Sequence, residues 1–243
     1  MRALRAAGLI AIVLLAACEP EPEIDHYVLA LNWQPAFCEY NTAKPECGTL
    51  DEDDFAATNL TLHGLWPNAA DGDHPFYCSV TANDRRTDET GDWCALPAPG
   101  TDQATQAALT EAMPGSRSCL DRHEWIKHGT CTGLGGDAYF DTSLHLLREV
   151  EATELANLLR ASIGREVSRR DLLQAWERDF GPGTAKALEI VCRRDGSRGL
   201  LTELRLALRR DALDEPLSGS MLFREGPPPH GGCPAQIYID PAG

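Results

Sequence analysis

Leu60-Thr61-Leu62-His63-Gly64-Leu65-Trp66 is a run in which apolar and polar side chains roughly alternate, and Pro67-Asn68 follows it directly. Successive side chains of a β-strand point to opposite faces, so this pattern predicts a strand that leads into a Pro-Asn turn. The strand carries one histidine, His63. A histidine in such a place is more often structural than functional, and Trp66 alone is more often a core residue.

The segments around this strand predict the fold class. Residues 27–33 alternate in the same way, whereas residues 67–100 are rich in Pro, Gly, Asp and Asn, which is typical of loops tied by cysteines. Helical patterns occupy 103–113, 118–128, 137–160 and 168–179, and strand-like segments return at 186–192, 200–208 and 236–240. Strands, then helices, then strands predict an α+β domain with a mostly antiparallel central sheet and flanking helices.

The second informative segment is His123-Glu124-Trp125-Ile126-Lys127-His128-Gly129-Thr130-Cys131. At about 100° per residue, a helix would place its two histidines, its glutamate and its lysine in one arc. Trp125 and Ile126 would project away from that arc and bury against the core. The Gly-Thr-Cys ending would stop the helix and hold it through a disulfide. If the polar side chains only formed a solvated surface, this ending would have no explanation.

A zinc protease is the alternative interpretation of this segment, since it opens with His-Glu. Zinc proteases with His-Glu-x-x-His place their ligands four residues apart on one side of a helix. Here His123 and His128 are five residues apart, and on a helix the two rings would diverge by about 140°. The spacing therefore disfavours a metalloprotease.

The N-terminus predicts export. Two arginines precede an apolar run, Ala6–Ala17, which is too short to span a bilayer, so residues 1–17 are typical of a signal peptide. Leu15-Ala16-Ala17-Cys18 resembles the lipobox of bacterial lipoproteins, which implies cleavage before Cys18 and lipid on that residue. Residues 18–25 then form a lipidated tether. The alternative is an ordinary signal peptide with a chance cysteine.

The nine cysteines are consistent with an oxidising compartment, here the periplasm or the cell envelope. Without Cys18 eight remain, and an even number in an exported chain predicts four disulfides whose pairing the spacing leaves open. A zinc cluster is the rival interpretation. The sequence disfavours it because no Cys-x-x-Cys pair occurs.

The segments that contain His63 and His128 together resemble the two active-site motifs of the ribonuclease T2 family, in order and at a suitable separation. The similarity to the bacterial ribonuclease I-like branch extends over most of residues 25–240. The segments that carry it are Tyr27–Cys38, Met113–Gly115, Ser118–Leu120, Val167–Asp171, Cys192 and Cys233. It implies a single disulfide-stapled ribonuclease domain over 26–243. It also implies the pairs Cys38–Cys47, Cys78–Cys131, Cys94–Cys119 and Cys192–Cys233.

The resemblance implies an endoribonuclease that cleaves single-stranded RNA with little base specificity. The ribose 2′-hydroxyl would attack the adjacent phosphorus and leave a 2′,3′-cyclic phosphate, without metal or cofactor, in a monomer. The resemblance implies that His63 and His128 are the acid–base pair, and we take His128 as the base. Imidazole suits both tasks because both of its protonation states are available near neutral pH. The remaining implied roles are phosphorane stabilisation by Lys127, orientation or tuning by Glu124, phosphate contact by His123 and base support by Trp66.

The net charge of −15 argues against a protein that holds long duplex DNA, because such proteins carry a basic face. A few cations in a local cleft can still handle short single strands. Two rival classes of function remain open. One is a non-catalytic surface lipoprotein on a decayed nuclease fold, which incubation with RNA would distinguish from an active ribonuclease. The other is a metallohydrolase, which metal analysis would identify.

Overall fold

The computed structural model describes residues 23–70, 72, 74–213, 215–224 and 232–243. The predicted signal peptide, Cys18 as the predicted site of lipid attachment, and the first part of the predicted tether lie outside the described residues. Within the described ranges, no helix combines the length and the apolar character needed to cross a membrane.

The described residues form the predicted strands and helices in the predicted order, together with three short helices and one short strand that the sequence does not predict. The strands are β1 (His26–Trp33), β2 (Leu60–Asn68), β3 (Glu166–Ser168), β4 (Leu188–Asp195), β5 (Arg198–Arg209) and β6 (Gln236–Tyr238). The α-helices are α1 (Gln34–Cys38), α2 (Phe55–Thr58), α3 (Ala82–Glu89), α4 (Gln103–Ala112), α5 (Leu120–Lys127), α6 (Gly136–Glu151), α7 (Glu154–Ala161) and α8 (Arg169–Phe180). The elements that the sequence does not predict are α1, α2, α3 and β3. The predicted α+β class is confirmed.

One mixed sheet holds all six strands in the order β2-β1-β5-β6-β3, and β4 pairs with the other edge of β5. Every pairing is antiparallel except the short parallel contact between β5 and β6. Strand β1 therefore lies between β2 and β5 and separates them by one strand. The backbones of β2 and β5 are therefore about 10 Å apart, and long side chains on the same face of the two strands can meet across β1.

The two faces of β5 have different environments, as the period of two requires. Leu204, Leu206 and Leu208 are buried in the main hydrophobic cluster with Tyr139 and Phe140 of α6 and Trp176 of α8. The alternating residues Glu203, Arg205 and Ala207 point to the opposite face, because successive side chains of a strand alternate. One face of the sheet thus supports the core, and the other is available for a site.

Three predictions about local structure are wrong in detail. The single helix expected over 137–160 is two helices, because Thr153 caps the second one by accepting from the amide of Ala156. The loop expected over 67–100 contains helix α3, which Thr81 caps in the same manner. The helix expected over 118–128 starts only at Leu120, after a left-handed residue at Cys119 with φ 63°.

Ser168-Arg169-Arg170-Asp171 resembles a capping box and predicts a helix that starts at Ser168. The structure has this cap, since the Ser168 hydroxyl accepts a hydrogen bond from the amide of Asp171. The structure contains four disulfides, and they join the same pairs that the family resemblance implies. These are Cys38–Cys47, Cys78–Cys131, Cys94–Cys119 and Cys192–Cys233.

Candidate active site

His63 lies at an irregularity in the sheet. In the pairing of β1 with β2, Ala30 is opposite Gly64 and Leu31 is opposite Leu62, so His63 is the extra residue of a β-bulge. A bulge kinks the strand and redirects the side chain that it carries. The bulge therefore gives His63 an orientation that regular pairing would not provide.

Helix α5 and the residue after it carry the second group of polar side chains. The helix begins after Cys119, which is bonded to Cys94, and it ends at Lys127. His128 follows the helix as its C-cap, in a right-handed helical conformation, and its amide donates a hydrogen bond of 3.0 Å to the carbonyl of Glu124. It therefore keeps the helical position that the sequence predicts for it. The Cys78–Cys131 disulfide then holds the segment, as the Gly-Thr-Cys ending indicates.

These elements enclose a cleft of about 670 Å³ on the face of the sheet opposite the core. All six predicted site residues line it: His63, Trp66, His123, Glu124, Lys127 and His128. The structure thus brings together two segments that are about sixty residues apart in the chain.

Glu124 is the centre of the cluster and is 1% exposed. Its Oε2 accepts a hydrogen bond of 2.7 Å from the Trp66 indole, while its Oε1 lies 3.5 Å from His63 Nε2 and 3.8 Å from His123 Nε2. Burial raises the pKa of Glu124, although the two imidazoles, Trp66 and Lys127 oppose that shift. A Cβ atom at Gly64 would overlap Glu124 Oε2, so a glycine is needed there for the carboxylate to approach.

His63 is surrounded by carboxylates. Its Nδ1 lies 2.7 Å from Glu203 Oε1 on β5, in addition to the contact of its Nε2 with Glu124. Burial by itself lowers the pKa of His63, but the hydrogen bond to Glu203 and the charges of Glu124 and Glu203 outweigh it, so the pKa is raised.

His128 is buried and surrounded by aromatic rings. Trp66 stacks on it at 5.4 Å between ring centroids, and Phe76 meets it edge-on at 5.3 Å. Its Nδ1 is buried and has no hydrogen-bond partner among the residues that the structure describes. Burial, followed by the positive charge of Lys127 and the neighbouring histidines, lowers the pKa of His128 to about 2.

The two remaining polar residues of the segment differ in how firmly they are held. His123 Nδ1 lies 2.7 Å from Asp88 Oδ1, and its ring stacks on Trp93 at 4.3 Å between centroids. Lys127 Nζ lies 5.5 Å from the centre of the Phe76 ring at the mouth of the cleft. His123 is therefore fixed from two sides, while Lys127 presents its charge to the cavity.

Two comparisons of the whole sequence agree with the motifs in this cleft. A sequence model of the Ribonuclease T2 family matches residues 24–215. Ribonuclease I of Escherichia coli is 35% identical over 240 residues, which cover 91% of this chain and 88% of that protein. The chain belongs to the ribonuclease T2 family.

A more distant relative and a solved structure are consistent with this assignment. Ribonuclease 1 of Arabidopsis thaliana is 27% identical over 237 residues, which cover 92% of this chain and 90% of that protein. The crystal structure of RNase NT in complex with 5′-AMP has a TM-score of 0.61 at 19% identity and covers 90% of this chain and 100% of that one. The latter likeness shows the fold alone. The resemblance to a bacterial ribonuclease T2 protein is confirmed, and the family membership supports an endoribonuclease.

Sequence reasoning missed three residues of this T2-family site. Glu203 contacts His63, Asp88 contacts His123, and Phe76 contacts His128. Only Glu203 has a local signal, because a carboxylate within a leucine-rich strand needs a buried partner. Asp88 and Phe76 fall in the segment that was expected to be mostly loop. Among the described residues, no three histidine, cysteine or acidic side chains are grouped as metal ligands would be.

Proposed function

We propose that this protein is a metal-independent endoribonuclease that cleaves single-stranded RNA by attack of the 2′-hydroxyl on the adjacent phosphorus. The observation that carries the proposal is that His63 and His128 line one cleft and have pKa values shifted in opposite directions. Such a pair can remove one proton and donate another across a single phosphate. The products are a 2′,3′-cyclic phosphate and a free 5′-hydroxyl.

His128 is the general base in this proposal. A histidine whose pKa is lowered to about 2 is neutral at physiological pH, so a ring nitrogen can accept the 2′-hydroxyl proton. The phosphate of bound RNA brings a negative charge close to the ring, which raises its affinity for that proton as the attack proceeds.

His63 is the general acid. Its raised pKa favours the protonated imidazole, and the contact of Nδ1 with Glu203 leaves Nε2 to deliver a proton to the departing 5′-oxygen. His63 then ends the step neutral while His128 ends it protonated, and the later hydrolysis of the cyclic phosphate reverses the two roles.

The other four residues act on the anion and on the geometry. Lys127 places a positive charge at the cleft, where it stabilises the phosphorane. His123 contacts the phosphate, and Glu124 orients His63 and Trp66. Trp66 packs edge-on to His63 and face-on to His128, so it contacts both rings, and it supports the neighbouring base.

Little base specificity is expected because aromatic contacts are tolerant of base identity. Phe76, one of the exposed large apolar side chains at 46%, lies on the cleft and offers such a surface. The complex of RNase NT with 5′-AMP supports nucleotide binding by this fold. DNA, which lacks the 2′-hydroxyl, should not be cleaved.

The test is cleavage of a short single-stranded RNA with and without EDTA, with the product termini identified. We expect the same rate in both samples and a 2′,3′-cyclic phosphate terminus, while the matched DNA strand stays intact. Loss of cleavage in EDTA with recovery on a divalent metal would replace this mechanism with a metal-dependent one. No cleavage in either sample would favour the non-catalytic interpretation.

We further propose that the exported protein is a monomer held in the cell envelope by lipid on Cys18, after removal of residues 1–17. The proposal rests on the Leu-Ala-Ala-Cys sequence and on the Glu- and Pro-rich residues that follow it. Mass spectrometry of the N-terminal peptide from membrane-extracted protein should show acyl chains on Cys18. A Cys18→Ser variant should lose them, and an unmodified Cys18 in the wild type would contradict the anchor.

A further inference from the structure

We propose that Glu203, held by Arg205, is a positioning residue for His63 in the RNA-cleaving reaction. The inference rests on the proposed function, since it assigns the residue that fixes the general acid. Glu203 does not touch the reacting atoms and acts through the imidazole.

The contacts form a chain across three strands. Glu203 Oε1 lies 2.7 Å from His63 Nδ1, and its other oxygen accepts a hydrogen bond of 2.6 Å from Arg205 Nε. Glu203 and Arg205 are two residues apart on β5 and therefore share a face of the sheet. A second carboxylate, Glu189 on β4, lies 3.5 Å from the same guanidinium. Both oxygens of Glu203 are thus committed before RNA binds.

Because Glu203 is buried, its contact with His63 favours the charged imidazolium over the neutral ring. Glu203 is 6% exposed, and burial alone would raise the pKa of its carboxyl. The hydrogen bond from His63 and the charges of His63 and Arg205 outweigh burial, so the pKa of Glu203 is lowered and the group stays ionised. An ionised carboxylate in low dielectric is a strong acceptor for an imidazolium N–H.

The charged groups that shift the pKa of His63 come from two elements. Helix α5 contributes Glu124, and β5 contributes Glu203 and Arg205, with Arg205 opposing the effect of the carboxylates. Glu124 already accepts from Trp66 and lies 3.5 Å from His63 Nε2, the nitrogen that must face RNA. Glu203 alone lies at hydrogen-bond distance from Nδ1, so it fixes the ring orientation and leaves Nε2 available to the leaving oxygen.

The proton balance follows from this geometry. The Nε2 proton of His63 passes to the 5′-oxygen as the P–O5′ bond breaks and its electron pair moves to that oxygen. His63 becomes neutral with its remaining proton on Nδ1, where it still donates to Glu203. Glu203 receives no proton at any point, as for the carboxylate of a serine protease triad.

The decisive variant is Glu203→Gln, which removes the charge and keeps the shape. The pKa of His63 should fall by about one unit or more, because an opposite charge in direct contact is lost. The alkaline limb of kcat/KM reports deprotonation of the general acid in the free enzyme, so it should move to lower pH. We expect kcat to fall by about tenfold or more while KM for a short RNA changes little.

Two variants control for charge and for folding. Glu166→Gln on β3 makes the same chemical change at an exposed position and should leave the alkaline limb in place. Glu203→Asp keeps the charge with a shorter side chain, so it should recover part of the rate and part of the limb position. Thermal unfolding of each variant identifies any loss of rate that comes from unfolded protein.

A measurement without RNA separates this inference from the proposed function. NMR titration of histidine ring protons, with His63 assigned through His63→Ala, should show a lower pKa for His63 in Glu203→Gln than in the wild type. An unchanged His63 titration together with unchanged kcat would overturn the role of Glu203. A different result is a wild-type protein that cleaves no RNA while the His63 pKa still differs between it and Glu203→Gln. That result would retain the contact between Glu203 and His63 and reject the proposed reaction.

Discussion

The two sides of the cleft hold the same side chain in opposite environments. On the sheet side, His63 is partly exposed and contacts Glu124 and Glu203. On the helix side, His128 is buried against Trp66 and Phe76, with Lys127 as a neighbour. Within the described part of the chain its Nδ1 has no hydrogen-bond partner. The pKa of the first histidine is raised and that of the second is lowered to about 2.

This difference teaches that the assignment of acid and base does not depend on the imidazoles themselves. Carboxylates favour the charged ring, whereas apolar burial and a nearby cation favour the neutral ring. Changes on either side of the cleft should therefore alter different limbs of the pH–rate profile. The acid limb reports protonation of His128, and the alkaline limb reports deprotonation of His63.

Removal of either imidazole should have the largest effect. His63→Ala and His128→Ala should each lower kcat/KM on single-stranded RNA by about 10²–10⁴-fold, the usual contribution of a general acid or base. His145→Ala is the matched control, because this histidine is 49% exposed and pairs only with Glu149 on the same helix. Near-normal cleavage by either active-site variant would show that the two sides do not act as an acid–base pair.

Lys127→Gln should have an intermediate effect that is confined to the helix side. Loss of the neighbouring charge raises the pKa of His128, so the acid limb should move to higher pH by about one unit, and the plateau rate should fall about tenfold. Lys186→Gln removes a different cation of the same cleft and should leave the acid limb unchanged. A shift of the alkaline limb instead would contradict the separation of the two sides.

Phe76→Ala should have the smallest effect. Loss of the ring admits water to His128 and weakens burial, which is the main cause of its low pKa. The acid limb of the pH–rate profile should move to higher pH by a fraction of a unit, with about a few-fold loss of rate. Leu134→Ala removes another exposed apolar side chain and is the control. It tests whether any loss of apolar surface shifts the acid limb. Equal pH profiles for both variants and the wild type would remove Phe76 from the site.

The local parts of the fold were accessible from sequence because their signals are local. Alternation predicted the strand that contains His63, and the Ser168 cap predicted the start of α8. The break at Thr153 was missed because the apolar pattern continues on both sides of it. The bulge at His63 was also missed, since it depends on the register with β1 and leaves no mark in the alternation of β2 itself.

The sequence by itself determined that two histidine motifs of one enzyme family are present, in order, within a chain that carries eight cysteines besides Cys18. Only the tertiary structure decided which imidazole has carboxylate neighbours, because His63 and Glu203 are 140 residues apart in the chain. Desolvation and charge act through space at distances of a few ångströms. The protonation states that separate a general acid from a general base therefore follow from the packing of the cleft.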